Sequence, residues 1–266
     1  MKHRLLLPLL VVSLAGCMVS TQQEIELGTD FSRQINAQLP LVNDPEVTRY
    51  VNVLGDSIAR VADDRNLDWR FYIVDSPDVN AFAVPGRFVY VNRGLIERTT
   101  QMNQLAGVLG HEIGHVVKRH SIKQMQAGQR LNFGAILACV LTPVCTNGGD
   151  VAVGLAGQGL MASFSRGDEA ESDQEGIRYV MRAGIDPRGI PEMFRILMKE
   201  RSERPSGGID SWFRTHPMEE DRVRATEATI ARFGTASLSR LTRDTPRYQA
   251  FKARLASLPR TQARAR

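Results

Sequence analysis

The sequence predicts an α+β domain, mostly helical, with one small sheet. Three short strand-like runs fall together between residues 70 and 91, helical periodicity fills most of the chain on either side, and no segment repeats. With 266 residues and 42% hydrophobic content, the chain can bury one sizeable core or two small ones.

The first residues stand apart from that fold. MKHRLLLPLLVVSLAGC opens with Lys2, His3 and Arg4 and continues in an apolar run from Leu5 to Leu14. This is the pattern of a secretory signal, and the run is too short for a comfortable membrane span. It ends in LAGC, Leu14 to Cys17, which is similar to a bacterial lipobox, where the cysteine is lipidated and becomes the mature N-terminus. The other reading is a plain signal peptide cleaved nearby. Each buried acyl methylene contributes roughly 0.8 kcal/mol, so two or more chains on Cys17 tether a domain firmly without spanning the membrane. Residues 1–16 are read as the signal, 17–239 as the folded domain and 240–266 as a basic C-terminal tail.

Ile25 to Gln38 and Asp44 to Val61 read as helices, the second opened by Asp44 as N-cap and Pro45 as first position. Arg70 to Val74 reads as a strand. Asn80 to Val84 and Arg87 to Val91 follow, with Pro85-Gly86 as the turn between them. Next come a helix from about Thr100 to Gln126, an apolar Gly-rich stretch to about Phe164, and a helix from about Asp168 to Ala183. Ile190 to Glu203 and Glu219 to Phe233 complete the helical set.

The formal charge of +5 is unevenly spread. From Arg240 to the end there are eight Lys/Arg against Asp244 alone, and without the signal and this tail 24 Lys/Arg face 28 Asp/Glu. Such a tail can touch anionic lipid head groups, but solvation or disorder is the favoured reading. An exported chain without a nucleic-acid motif is not expected to bind nucleic acid. Export also places Cys139 and Cys145 in an oxidising compartment, with Pro143 suited to a turn between them. Either they form a disulfide or they are two buried thiols.

GHEIGHVVKRH, Gly110 to His120, holds three of the five histidines. His115 lies one turn beyond His111 and only about 40° round the helix, so both imidazoles reach one ion. Glu112 stands beside the pair. This is the HExxH arrangement, in which two histidines bind zinc and the glutamate works on the bound water. On a continuous helix His120 lies about 180° from His111 and cannot join that site. Leu105, Leu109, Ile113 and Val116 form an apolar arc that excludes the His pair, so core packing does not account for it. Gly107, Gly110 and Gly114 form a separate strip, at about 1 kcal/mol each against Ala, which points to close approach of another backbone.

A catalytic zinc usually takes three protein ligands. On the helix after Ser165, Glu169 and Asp173 fall in the inward, apolar arc, whereas Glu171, Glu175, Arg178 and Arg182 form an outward charged strip. A buried carboxylate needs a partner. Zinc supplies one for Glu169, and Asp173 is placed to accept a proton from the far nitrogen of a zinc-bound histidine.

HEIGH at 111–115, SRGDEAESD at 165–173, VNAFAVPG at 79–86, and THP with Arg222 six residues beyond His216 occur in a familiar order. From about Gln22 to Ile230 the chain resembles the bacterial envelope zinc endopeptidases, the BepA-like and LoiP-like lipoproteins, relatives of HtpX and the CAAX prenyl protease. The resemblance implies a zincin-like (gluzincin) metallopeptidase domain. It implies one Zn2+ per chain on His111, His115 and Glu169, with Glu112 as general base and Asp173 behind the ligands. It further implies hydrolysis of unfolded or misassembled envelope proteins, in protein quality control. Ser172 stands where that family often has Ala, and Arg87 replaces the second Gly of a common PGG turn.

In the reaction so implied, His216 is the candidate donor to the oxyanion, and Arg222 orients its loop by pairing with a carboxylate. The substrate lies extended along a sheet edge, for which Asn80, Ala81, Phe82 and Ala83 are the candidates, Pro85 suiting an edge or turn. Unfolded or misfolded polypeptides are the expected partners, together with a membrane reached through Cys17. Met18, where an Asp would favour the inner membrane, points to the periplasmic face of the outer membrane. A zinc-dependent chaperone or assembly factor with weak proteolysis is the alternative. The apolar 131–164 stretch joins the two metal-binding helices and reads either as a lid over the cleft, from about Ala135 to Gly159, or as a fixed core hairpin.

Overall fold

The computed structural model describes residues 19–126, 164–203, 210–217 and 220–261. Cys17, Cys139, Cys145, the signal and the proposed lid lie outside them. Two helices come first, α1 (Thr21–Gln38) and α2 (Pro45–Ala62). Ser20 opens α1 in a reciprocal capping box with Gln23, and Asp44 caps α2 ahead of Pro45, which satisfies backbone N–H groups that would otherwise be orphaned.

The sheet follows, with β1 (Arg70–Val74), β2 (Ala81–Val84) and β3 (Phe88–Asn92). Its order is β1-β3-β2, with β1 parallel and β2 antiparallel to β3. β2 is therefore an edge strand. Gly86, at φ 94, makes the turn that joins it to β3. All five residues of β3 are buried, as expected of a central strand.

The remaining helices are α3 (Arg93–Arg98), α4 (Met102–Val117), α5 (His120–Gln126), α6 (Arg166–Arg182), α7 (Gly189–Glu203), α8 (Asp210–Thr215), α9 (Glu220–Ala231), α10 (Thr235–Leu238) and α11 (Pro246–Ser257). α4 is the hub. Every residue from Met102 to Val116 is buried, not only an apolar arc, because α2, the sheet, α6 and α7 surround it. Its glycine strip faces helices, as the sequence suggests. A Cβ on Gly110 would stand 3.3 Å from the Gly176 carbonyl oxygen, and one on Gly114 would stand 3.2 Å from Ser172 Cα. The two helices thus meet backbone to backbone.

Two sequence expectations need correcting. The single helix expected from Thr100 to Gln126 is broken, because Arg119 adopts a left-handed φ of 58 and α5 starts anew at His120. Arg119 is held there by Glu24 Oε2 at 2.7 Å and by the Val19 carbonyl. Much of the stretch read as a basic tail is also folded. α11 buries Tyr248, Phe251 and Leu255, and its helix packs on α2 and α3. Buried Arg93 donates to the Ala256 and Leu258 carbonyls, and Arg254 pairs with Asp44.

Candidate metal centre

α4 presents His111 and His115 one turn apart, α6 brings Glu169 from its first turn, and His216 follows the end of α8. All four are at most 2% exposed. One ligand atom from each lies within 4.8 Å of the others. His111 Nε2 is 3.0 Å from His115 Nε2 and 3.3 Å from His216 Nδ1. Glu169 Oε1 is 3.3 Å from His115 Nε2 and 3.0 Å from His216 Nδ1. Tetrahedral zinc with bonds near 2.0–2.1 Å holds its ligand atoms about 3.3 Å apart, so these spacings suit the ion.

The protons agree with the spacing. His111 Nδ1 lies 2.9 Å from Asp173 Oδ1, so Nδ1 carries the hydrogen and Nε2 offers a lone pair. Burial holds His115 neutral, well below the ordinary histidine range. Its Nε2 and that of His111 therefore converge with a carboxylate, an arrangement that calls for a cation. Burial opposes the charge on Glu169, yet His216, His115 and His111 together outweigh it and leave this carboxyl well below its usual range. Asp173 is similarly kept ionised against burial by His111 and Arg222.

Arg222 does more than pair with one carboxylate. It grips Asp173 with Nε at 2.8 Å and Nη2 at 2.7 Å, and its Nη1 reaches both Glu169 and the Pro217 carbonyl. The loop that follows His216 is thus tied to α6.

Glu112 lies beside the cluster, 1% exposed, and burial pushes its carboxyl above the ordinary range. The Ala83 N–H of β2 donates to it, and its Oε1 is 3.3 Å from His216 Nε2. β2 therefore borders the site at the sheet edge. Ala81, Phe82 and Ala83 pair with β3 on their other side, and the Phe82 ring stacks on Tyr90. Asn80 is buried, and its Oδ1 has no partner among the described residues.

The sequence expectation sets His216 as a donor beside the ligand set; in the structure its Nδ1 lies 3.3 Å from His111 Nε2 and 3.0 Å from Glu169 Oε1, so it groups with the three expected ligands. Trp212 explains how it is placed: its carbonyl accepts the His216 N–H at 2.8 Å, and its ring lies 4.6 Å from the imidazole. Trp212 and Phe164, which stacks on His115 at 3.9 Å, were missed from the sequence. The one signal for Trp212 was its position a helical turn before His216. His120 stays outside the ligand cluster, as expected, but lies against the back of His115, with Nδ1 2.9 Å from His115 Nδ1.

The model of peptidase family M48 matches residues 45–230. A beta-barrel assembly-enhancing protease of Yersinia pestis is 34% identical over 218 residues, covering 79% of this chain and 44% of its own length. Its counterpart in Escherichia coli K12 is 33% identical over 217 residues, with the same shares covered. The mitochondrial metalloendopeptidase OMA1 of Bos taurus is 29% identical over 174 residues, covering 62% of this chain and 33% of its own. The chain spans less than half the length of these curated relatives.

Proposed function

The chain belongs to peptidase family M48, and from that membership we propose that it is a zinc-dependent endopeptidase acting on unfolded or misassembled proteins of the bacterial envelope. The observation that carries this is the buried convergence of His111, His115 and Glu169 with Glu112 beside them. Zinc held there supplies Lewis acidity toward the scissile carbonyl and lowers the pKa of a bound water.

The chain's own residues supply the rest. Glu112 takes the proton of the attacking water as the new C–O bond forms and delivers it to the amine as the C–N bond breaks. A raised carboxyl pKa suits that two-way transfer. His216, with Nε2 3.3 Å from Glu112 Oε1, stands close enough to the attacked carbonyl for its imidazole to donate to the oxyanion. Arg222 keeps the loop near the cleft through the Pro217 carbonyl. The edge of β2 offers main-chain pairing, which reads little sequence and fits broad specificity toward extended segments.

The relatives' name links them to β-barrel assembly. Misassembled β-barrel precursors are therefore the substrate class we favour, with location in the envelope and a lipid anchor on Cys17. Among the described residues no helix is long and apolar enough to cross a membrane. The same name favours a second reading, an assembly factor whose proteolysis is weak. Casein digestion with and without a chelator, run beside Glu112→Gln, separates the two. Chelator-sensitive digestion that Glu112→Gln abolishes while keeping its zinc supports the peptidase. Near-normal digestion by that variant refutes the role of Glu112.

A further inference from the structure

We infer that His120 is a positioning residue for the metal site, fixing the tautomer and ring angle of His115 and anchoring that ligand to Glu171. This rests on the zinc reading above and assigns a role to a histidine outside the HExxH pattern.

His120 is fully buried and is the first residue of α5. On an unbroken helix it would point away from the site, but the left-handed turn at Arg119 carries it back behind His115. The two rings stand edge to face, 75° apart, with their Nδ1 atoms at 2.9 Å. On its other side His120 Nε2 lies 2.9 Å from Glu171 Oε2 and 3.5 Å from Asp168 Oδ1. Ser172 Oγ is 3.4 Å from His120 Nδ1. Glu171 is itself held by Lys118 at 3.2 Å, so it is not the freely solvated acid that its outward helix position suggests.

The protons in this chain have one consistent order. An ionised carboxylate only accepts, so His120 Nε2 carries the hydrogen given to Glu171. The His120 Nδ1 atom is then a lone pair and accepts from His115 Nδ1–H. The lone pair left on His115 lies on Nε2, the atom that faces His111 and Glu169. Were His120 to donate from Nδ1 instead, the His115 proton would move to Nε2 and block the metal. His111 gets the same service directly from Asp173. The two ligands are thus oriented by different devices, one by a carboxylate and one by a histidine backed by a carboxylate.

The test uses the full-length chain as wild type, His120→Ala, His120→Asn and Glu171→Ala. Zinc affinity is measured by chelator competition, and the visible bands of the cobalt-substituted protein report ligand geometry. His120→Ala should bind zinc about 10- to 100-fold more weakly and shift the cobalt bands. His120→Asn keeps an acceptor near the Nδ1 position and should recover most of the affinity and the wild-type spectrum. If His120→Ala does not fold, the half-exposed Glu171→Ala carries the test with a smaller loss of affinity. Wild-type affinity and spectrum in His120→Ala, or in Glu171→Ala where it stands in, would overturn the inference alone, as would His120→Asn no better than His120→Ala. A wild-type chain that binds no zinc would overturn the metal reading and this inference with it.

Discussion

Glu169 and His216 touch the same cluster, but their removal should have opposite consequences. Glu169 is the acidic member of the ligand set and is fully buried. Its loss removes the charge that balances the ion, so Glu169→Ala should retain far less than one zinc per chain. His216→Ala leaves His111, His115 and Glu169, the three protein ligands that suffice for catalytic zinc, and should stay near one per chain. Metal analysis of the two purified variants decides the matter. A His216→Ala protein stripped of zinc would make His216 a permanent fourth ligand. At this scale the sequence was most legible where helical angle alone decides, as with His111, His115 and the inward-facing Glu169. It was illegible where the partner comes from a distant part of the chain. Nothing in the spacing shows that Phe164 lies on His115.

The elements that carry the site are held by contact between main chains. A Cβ on Gly176 would stand 3.1 Å from the His111 nitrogen and 3.2 Å from the Gly110 carbonyl carbon. Gly176→Val should therefore force α6 away from α4, at about 1–3 kcal/mol, and weaken zinc binding as Glu169 is carried off. Urea denaturation and chelator competition on this variant measure the two effects. Unchanged values in both would mean that the helices tolerate a wider separation. The strip of glycines in α4 announced this contact in advance, because glycine in a helix interior otherwise only destabilises it. The break after α4 gave no such warning. Lys118 and Arg119 are good helix formers, and the left-handed turn at Arg119 depends on Glu24 and Val19, nearly a hundred residues away.

On the scale of the whole molecule, the chain's end is fastened to its middle. Asp75, on the segment after β1, pairs with buried Arg93 at 3.1 Å and accepts the Thr261 N–H. Burial opposes its charge, but Thr261 and Arg93 outweigh it and hold the carboxyl below 3.8. A depressed carboxylate contributes stability above its unfolded value that fades as pH falls through the folded one. Asp75→Asn should thus cost about 3 kcal/mol near neutrality, with the gap to wild type closing in acid, as pH falls through the depressed folded value. Denaturant titrations at the two pH values test this, and a gap independent of pH would show that the contact is not ionic in origin. Charge counting along the chain saw a basic tail because it could not see Asp44, Asp75 and Glu97 waiting for it. The backbone contact between α4 and α6 has a consequence for the protein's lifetime. It brings two lone pairs and a carboxylate together as the chain folds, so an ion bound there would favour the native state. By mass action each tenfold rise in free zinc above the dissociation constant adds about 1.4 kcal/mol to stability. Abundance in the cell would then follow metal supply, and zinc starvation would deplete the enzyme by unfolding it as well as by idling it.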